Sequence, residues 1–229
     1  MKKFDWREVA DLEKNYYSER VVLRPLMECD VYPLFIATTD PAFNRYLLWD
    51  APSSLSQVSE RIKTILDERR KGQMGAWVAA DITTGAFVAL FRAFAVEPAT
   101  DVDELHFETG IWLHPSFWLG GLSVEVTAMS YDFLFDETPV EVLYAATHRE
   151  NKAGLGLFRG LKLEFVGNSF AEHENGTQVP AYLYQARRKL WQRSVVARES
   201  YEEIAATKEA RINGFSDPRS ALRARKAVV

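Results

Sequence analysis

Leu105–Phe133 reads Leu-His-Phe-Glu-Thr-Gly-Ile-Trp-Leu-His-Pro-Ser-Phe-Trp-Leu-Gly-Gly-Leu-Ser-Val-Glu-Val-Thr-Ala-Met-Ser-Tyr-Asp-Phe, and this stretch decides the fold. Apolar and polar residues alternate at its start, which predicts a strand. Pro115 ends that strand, because proline has no N–H to donate to a neighbouring strand. After Gly120-Gly121 the apolar residues recur at helical spacing as far as Phe133. The stretch therefore predicts a strand, a glycine loop and a helix.

The glycine loop and the helix that follows it predict an anion-binding site. The first turn of a helix has N–H groups without partners and the positive end of the helix dipole. Glycines let a ligand approach the backbone, so the loop suits a phosphate or pyrophosphate. The stretch has neither a G-x-G-x-x-G fingerprint nor a P-loop lysine. We therefore expect the backbone to hold the anion.

The segment His-Pro-Ser-Phe-Trp-Leu-Gly-Gly-Leu-Ser-Val-Glu-Val, preceded by Phe-Glu-Thr-Gly-Ile-Trp-Leu, resembles the acyl-CoA-binding motif of the GNAT acyltransferases. Within that superfamily it is most similar to the Rim-type branch, which acetylates ribosomal-protein N-termini, and to its small-molecule relatives. Trp118 matches the Gln/Arg position of the loop, Gly121 the central glycine and Ser123 the final small residue. Leu119 and Gly120 replace a usual glycine and a usual lysine. The resemblance covers roughly 18–184.

The resemblance implies a mixed α/β fold with one domain and an extension. The domain, residues 1–186, would hold a twisted, mostly antiparallel sheet of six to seven strands with helices on both faces. The remainder, 187–229, is expected to form a basic helical C-terminal extension, with 11 Lys+Arg against 5 Asp+Glu. Subtraction from the totals of 28 and 32 leaves 17 against 27, so an acidic body with a net charge of −10 precedes it.

The resemblance also implies an N-acetyltransferase that moves an acetyl group from acetyl-CoA, or another acyl group from its acyl-CoA, to a primary amine by direct attack. The amine would belong to a small molecule or to a peptide N-terminus. The expected cofactor-binding residues are Trp112, Leu113, Trp118, Leu119, Gly120, Gly121, Leu122, Ser123 and Asn151. The strand Gly110–Leu113 is expected to part from its neighbour and to offer backbone groups to the pantetheine arm. Asn151 also suits the N-cap of the following helix.

Glu108 is the predicted general base, because a partly desolvated carboxylate can accept an amine proton directly or through water. An equal alternative is that Glu108 only orients the substrate through hydrogen bonds. His106 lies on the same side of the strand, where it would assist or be a histidine with satisfied hydrogen bonds. Tyr46 and Trp49 are the further predicted substrate residues. The general acid is left unassigned.

Two departures from the family pattern support an alternative function. Gly154 stands where relatives often have a serine, and Lys162-Leu163 replaces a usual Gly-Phe. With Leu119 and Gly120, these residues also fit a catalytically degenerate GNAT module that binds acyl-CoA or a protein partner. A Glu108→Gln substitution would separate the two functions.

Composition limits the remaining classes. Cys29 is the only cysteine, so no internal disulfide forms and a cytoplasmic location is expected. We expect no membrane association, because no run of 18 apolar residues and no apolar leader occurs. The spacing of the four histidines predicts no metal. We expect no nucleic-acid partner, since the tail has few aromatic residues, and expect a homodimer if the extension covers a second subunit.

The remaining pattern predicts a full set of elements around the central stretch. Helices are expected over 5–14, about 31–38, 54–71, 151–159 and from 187 to about 212. Strands are expected over 20–26, 75–81, 86–96, 140–147, 163–166 and 179–184.

Overall fold

A computed structural model describes residues 4–9, 12–97, 103–118 and 121–191. The helices in this part of the chain are α1 (Val31–Thr38), α2 (Pro41–Asn44), α3 (Leu55–Arg70), α4 (Leu122–Glu137) and α5 (Lys152–Gly160). The strands are β1 (Tyr16–Tyr17), β2 (Val21–Pro25), β3 (Met74–Asp81), β4 (Phe87–Val96), β5 (His106–Leu113), β6 (Val142–His148), β7 (Glu164–Glu172) and β8 (Gln178–Arg187).

The strands form one sheet in the order β1-β2-β3-β4-β5-β6-β8-β7. Its neighbours are antiparallel except β5 and β6, which run parallel. The mixed α/β fold and the mostly antiparallel sheet are as predicted, but the sheet has eight strands instead of six to seven. The unpredicted strand is β1, a two-residue piece that sequence patterns cannot distinguish from a loop.

Two apolar layers cover the sheet, one on each face. The α4 face packs α4 and α5 against the strands, with Phe107 on β5 and Val126 on α4 among its buried residues. The α3 face packs α1, α2 and α3 against the other side, with Leu90 on β4 and Ile62 on α3 buried. The central strand β5 contributes side chains to both layers, because successive residues of a strand point to opposite faces.

Two further expectations about elements need correction. The helix predicted over 5–14 is wrong, because Trp6–Glu8 form only a 3-10 turn and Val9 is extended. Trp6 is fully buried against Trp77 and Phe107. The apolar residues near Trp6 in the sequence therefore reflect burial in the core and not one side of an amphipathic helix. Strand β7 continues to Glu172, beyond the end of the strand predicted over 163–166, and its outward residues are polar or exposed.

The end of β8 brings the chain back to α4. Arg188 donates to the backbone carbonyls of Phe135, Thr138 and Val140 at the end of that helix, where a cation is favourable. Trp191 donates from Nε1 to Asp132 Oδ1 over 2.7 Å. The first residue of the predicted extension, Arg187, therefore lies in β8. The predicted helix beyond it falls mainly on residues 192–229, which lie outside the described part of the chain.

Within the described residues, no helix is both long and apolar enough to cross a bilayer.

Candidate active site

The central feature of the site is the parting of β5 from β6. The two strands pair from His106↔Val142 to Thr109↔Ala145 and no further, while β5 remains paired with β4 as far as Leu113. In the described part of the chain, residues 110–113 therefore have no ladder partner on the β6 side. A cleft of about 550 Å³ opens there, lined by both diverging strands and by α4 and α5.

The N-terminus of α4 forms one wall of this cleft. Gly121 is its N-cap, with a φ of 77° that favours glycine. A Cβ built on Gly121 would meet no atom within 4 Å, so its backbone faces open space. Trp118 Nε1 donates to the carbonyl of Leu113 over 2.9 Å and folds the loop back on the end of β5. Gly121, Ser123 and Trp118 all line the cleft.

Seven of the nine predicted cofactor residues lie in the described chain. Trp112, Leu113, Trp118, Gly121, Ser123 and Asn151 line the cleft, and Leu122 is buried in the core with its backbone in the first turn of α4. Leu119 and Gly120 lie outside the described residues.

The opposite wall is the start of α5, where Asn151 is the N-cap. Its Oδ1 accepts from Gly154 N–H, and its Nδ2 donates to Thr147 Oγ1, both over 3.0 Å. A Cβ on Gly154 would lie 2.5 Å from Thr147 Oγ1 and 2.8 Å from Asn151 Nδ2. Gly154 is thus explained locally, because the Thr147–Asn151 pair fills the space that a serine would need.

A chain of hydroxyl groups fixes the point at which the strands part. Thr109 Oγ1 donates to the carbonyl of Tyr144 over 2.9 Å and lies 2.9 Å from Tyr131 Oη. Since the Thr109 hydrogen is already used, Tyr131 must be the donor in the second bond. Burial raises the pKa of Tyr131 to about 12, and its bond with Thr109 opposes that shift. Tyr131 therefore holds its proton in a structural bond.

Glu108 lies on the other side of β5, on the α3 face, one residue before the strands part. Its side chain is exposed at the sheet surface and is not part of the cleft lining. Partial loss of water around the carboxyl raises the pKa of Glu108 above its usual value, and the positive charge of Arg92 acts in the opposite direction. The carboxylate is thus a stronger base than an ordinary glutamate.

His106 is buried, with 3% of its surface exposed, next to Glu108 on the same face. Its Nε2 lies 3.3 Å from Glu104 Oε2, and its Nδ1 lies 3.3 Å from Tyr144 Oη. A carboxylate only accepts, so Nε2 carries a proton, and in the neutral ring Nδ1 accepts from Tyr144. Both ring nitrogens are therefore satisfied without a substrate.

The two other predicted substrate residues lie at different depths. Tyr46 lines the cleft, donates from its hydroxyl to the carbonyl of Glu150 over 3.1 Å and stacks on His148. Trp49 is buried, with its ring 5.1 Å from that of Trp112.

Two arginines complete a stack with these tryptophans. The Arg61 guanidinium lies 3.9 Å from the Trp49 ring, and the Arg92 guanidinium lies 4.5 Å from the Trp112 ring. Neither arginine was predicted from the sequence. The available signal for Arg92 was that it is the only charged residue in the apolar run of β4, Phe87–Val96.

Among the described residues, no group of three or more His, Cys, Asp or Glu side chains is placed to hold a metal ion.

A strand that parts from its neighbour beside a helix N-terminus is what the GNAT resemblance implies for a coenzyme A-dependent acyltransferase. Residues 20–163 match the acetyltransferase (GNAT) domain family, which is more than half of the chain. The chain therefore belongs to the GNAT family of N-acetyltransferases. None of the curated proteins compared with it matches its sequence significantly.

Solved structures show the same fold at low sequence identity. RimJ of Mycobacterium smegmatis in complex with CoA-disulfide has a TM-score of 0.66 and 16% identity, over 79% of this chain and 91% of that one. RimL in complex with coenzyme A has a TM-score of 0.63 and 16% identity, over 76% and 98%. The ribosomal-protein-S5-alanine acetyltransferase of Vibrio fischeri has a TM-score of 0.63 and 11% identity, over 78% and 99%.

Proposed function

We propose that this protein transfers an acetyl group from acetyl-CoA to a primary amine by direct attack, with Glu108 as the base. The observation that carries the proposal is the opening of β5 from β6 beside the glycine-capped N-terminus of α4. This arrangement supports a ligand that has an anionic end and an extended amide-bearing arm, and coenzyme A has both.

The chain's residues would hold the two ends of the cofactor differently. The N–H groups at the start of α4, from Gly121 to Ser123, have no partner within the helix and would bind the pyrophosphate together with the helix dipole. The unpaired edge of residues 110–113 would bind the pantetheine amides as a neighbouring strand does. Asn151 and Trp118, on opposite walls, would contact the arm between them. The bound cofactor supplies the activated thioester.

Glu108 would accept the proton of the attacking amine, directly or through a water molecule. The acceptor nitrogen forms a bond to the acetyl carbon as the carbon–sulfur bond breaks, and the sulfur leaves as a thiolate. Because Glu108 lies on the α3 face and the cleft opens between the strands, the acceptor would approach from the α3 face. A base with a raised pKa matches the amine proton better than an ordinary carboxylate does.

The thiolate needs no dedicated acid. Tyr131 lines the cleft, but its hydrogen is committed to Thr109. A free thiol has a pKa of about 8.5. Near neutral pH the thiolate is therefore protonated by water or by the proton that the amine releases. The general acid accordingly stays unassigned in the proposal.

The acceptor class is a small-molecule amine or a peptide N-terminus. The named relatives include a ribosomal-protein-S5-alanine acetyltransferase, and a peptide acceptor would make this chain similar to it in substrate as well as in fold. The basic C-terminal extension and a homodimer built through it also stay predictions, because residues 192–229 are not described.

The test is calorimetric titration with acetyl-CoA followed by a screen of primary amines for CoA release, using the wild type and Glu108→Gln. Micromolar binding with turnover that Glu108→Gln abolishes would support the enzyme. Binding without turnover of any amine would favour the alternative, a degenerate module that binds acyl-CoA. No binding of acetyl-CoA, free CoA or longer acyl-CoAs would overturn both.

A further inference from the structure

The α3 face holds a cation, Arg92, that forms no ion pair with a carboxylate among the described residues. Arg92 is half-buried on β4, with its guanidinium stacked on the Trp112 ring. Among the described residues, Arg92 donates no hydrogen bond to any side chain or carbonyl and forms no ion pair. Burial lowers the pKa of Arg92, and the charge of Arg61 lowers it further. A guanidinium in this state gains from an added anion more than one exposed to water does.

The other charges near Arg92 are already engaged or lie apart from it. Arg61 pairs with Glu174, so this cation has its own carboxylate. The acidic groups whose charges reach Arg92 are Glu68, Glu174 and Glu108, and none of them forms a salt bridge with it. Trp49 offers a second donor without a partner, since its buried Nε1 has no hydrogen-bond acceptor in the described chain. Among the described residues, the stack of Arg61, Trp49, Trp112 and Arg92 thus has more hydrogen-bond donors than acceptors.

An empty position separates Arg92 from the proposed base. Gly110 pairs with Arg92 across β4 and β5, and a Cβ built on Gly110 would meet no atom within 4 Å. Glu108 and Trp112 are the diagonal neighbours of Arg92 on the same face, and such positions typically lie about 7–8 Å apart. An open space therefore lies between a carboxylate on one side and, on the other, a guanidinium that has no ion-pair partner among the described residues.

We propose that this space binds a small zwitterionic acceptor, a free amino acid, with its carboxylate on Arg92 and its amine towards Glu108. The proposal rests on the acetyltransferase function proposed above and specifies its substrate. The amine nitrogen bonds to the acetyl carbon as the carbon–sulfur bond breaks. The ammonium group of the zwitterion first loses one proton through Glu108 to solvent, which frees the nitrogen to attack. The second proton leaves the nitrogen after the attack and protonates the CoA thiolate, so the products are an N-acetylamino acid and the CoA thiol.

Contacts across the acceptor side favour a small molecule over a polypeptide. Glu174, in the turn between β7 and β8, donates its N–H to the carbonyl of Leu48 over 2.8 Å, and its carboxylate accepts from Arg61 over 2.7 Å. His173 lies 3.8 Å from Asp50 in the same region. These bonds tie the α2–α3 loop to the β7–β8 hairpin and end at the Arg61–Trp49 stack itself. The proposal requires a free amino acid to reach Arg92 without breaking them.

The experiment compares each free amino acid with its carboxamide and with the amine that lacks the carboxyl group, at saturating acetyl-CoA. We expect kcat/KM for the acids to exceed that for the amides by roughly 10- to 100-fold, the worth of a charged hydrogen bond. Arg92→Gln should remove this difference and leave the Kd for acetyl-CoA unchanged. Arg70→Gln, at an exposed arginine of α3, is the matched control and should retain the preference.

Each outcome decides the proposal. Equal kcat/KM for acids and amides in the wild type would overturn it and leave the acetyltransferase intact, and this comparison needs no variant that folds. Preference for amidated peptides with an N-terminal aspartate or glutamate over free amino acids would also overturn it, in favour of an acidic polypeptide. Turnover of no amine at all would overturn the proposed function together with this inference.

Discussion

The two faces of β5 are built for different tasks from alternate residues of one strand. On the α4 face, Phe107 is buried and the Thr109 hydroxyl bonds to Tyr131, so this side is apolar with its few polar groups satisfied. On the α3 face, Glu108 is exposed and Arg92 has no ion-pair partner among the described residues. The difference teaches that the α4 face, with its polar groups satisfied, fixes the point at which the strands part, while the α3 face carries the charges that we propose to bind the acceptor.

The largest expected effect is on the charged face. Glu108→Gln should lower kcat/KM by about 10²- to 10⁴-fold, because it removes the proposed base and retains a similar shape. The Kd for acetyl-CoA should stay unchanged, since Glu108 does not line the cleft. Steady-state kinetics and calorimetry measure both. Glu60→Gln, on the exposed side of α3, is the control, and full turnover by Glu108→Gln would restrict Glu108 to orienting the substrate or to no role.

The next effect belongs to the cofactor side. Gly121→Leu should weaken acetyl-CoA binding by roughly 10- to 100-fold, because it places a side chain before the helix N-terminus. Gly85→Leu is a matched control, since Gly85 also has a positive φ, 69° against 77°, and open space around it. Both variants bear similar backbone strain, so only a cofactor site at Gly121 makes their Kd values differ. If calorimetry gives equal Kd values for acetyl-CoA, Gly121 serves only as a residue of a structural turn and not in cofactor binding.

The pH dependence probes how the two charges on the α3 face interact. As the proposed base, Glu108 must be deprotonated, so kcat/KM should rise with pH through the pKa of Glu108, which desolvation raises above the usual glutamate value. Arg92 lowers that pKa, so Arg92→Gln should move the acidic limb to higher pH. The pH profile of kcat/KM, measured with an amine that has no carboxyl group, gives the shift of this limb. If the acidic limb stays in place or moves to lower pH, Arg92 does not lower the pKa of the group that acts as the base.

Some parts of the site could be predicted from the sequence, and others depend on contacts that only the fold creates. The strand, glycine loop and helix over 105–133 were predicted, because each has a local signal in its period or its glycines. Arg92 was not singled out, because its meaning comes from Trp112 and Gly110, which are neighbours only through strand pairing. Gly154 was interpreted as a departure from the family pattern, since its contact with Thr147 exists only once β6 and α5 are placed.

That local explanation of Gly154 predicts a difference between two glycines of α5. Gly154→Ala and Gly156→Ala gain similar helix propensity, but a Cβ meets Thr147 and Asn151 only at Gly154. Losing the Asn151 cap costs about 1 kcal/mol, so Gly154→Ala should be about 1–2 kcal/mol less stable than Gly156→Ala. Denaturant unfolding measures the difference. Equal stabilities would mean that Thr147 and Asn151 adjust freely and that the cap is unimportant.

The smallest effect separates the two roles a tyrosine at the parting point can have. Tyr131→Phe removes one buried hydrogen bond and leaves Thr109 its bond to Tyr144, so the free energy of unfolding should fall by about 1 kcal/mol. Because the Tyr131 hydrogen is committed to Thr109, kcat should change by less than about tenfold. If Tyr131 instead protonated the leaving thiolate, kcat would fall by about 10²-fold or more. Unfolding and kinetics measured on the same variant therefore distinguish a structural role of Tyr131 from a role as general acid. A large loss of kcat would mean that the α4 face also takes part in proton transfer.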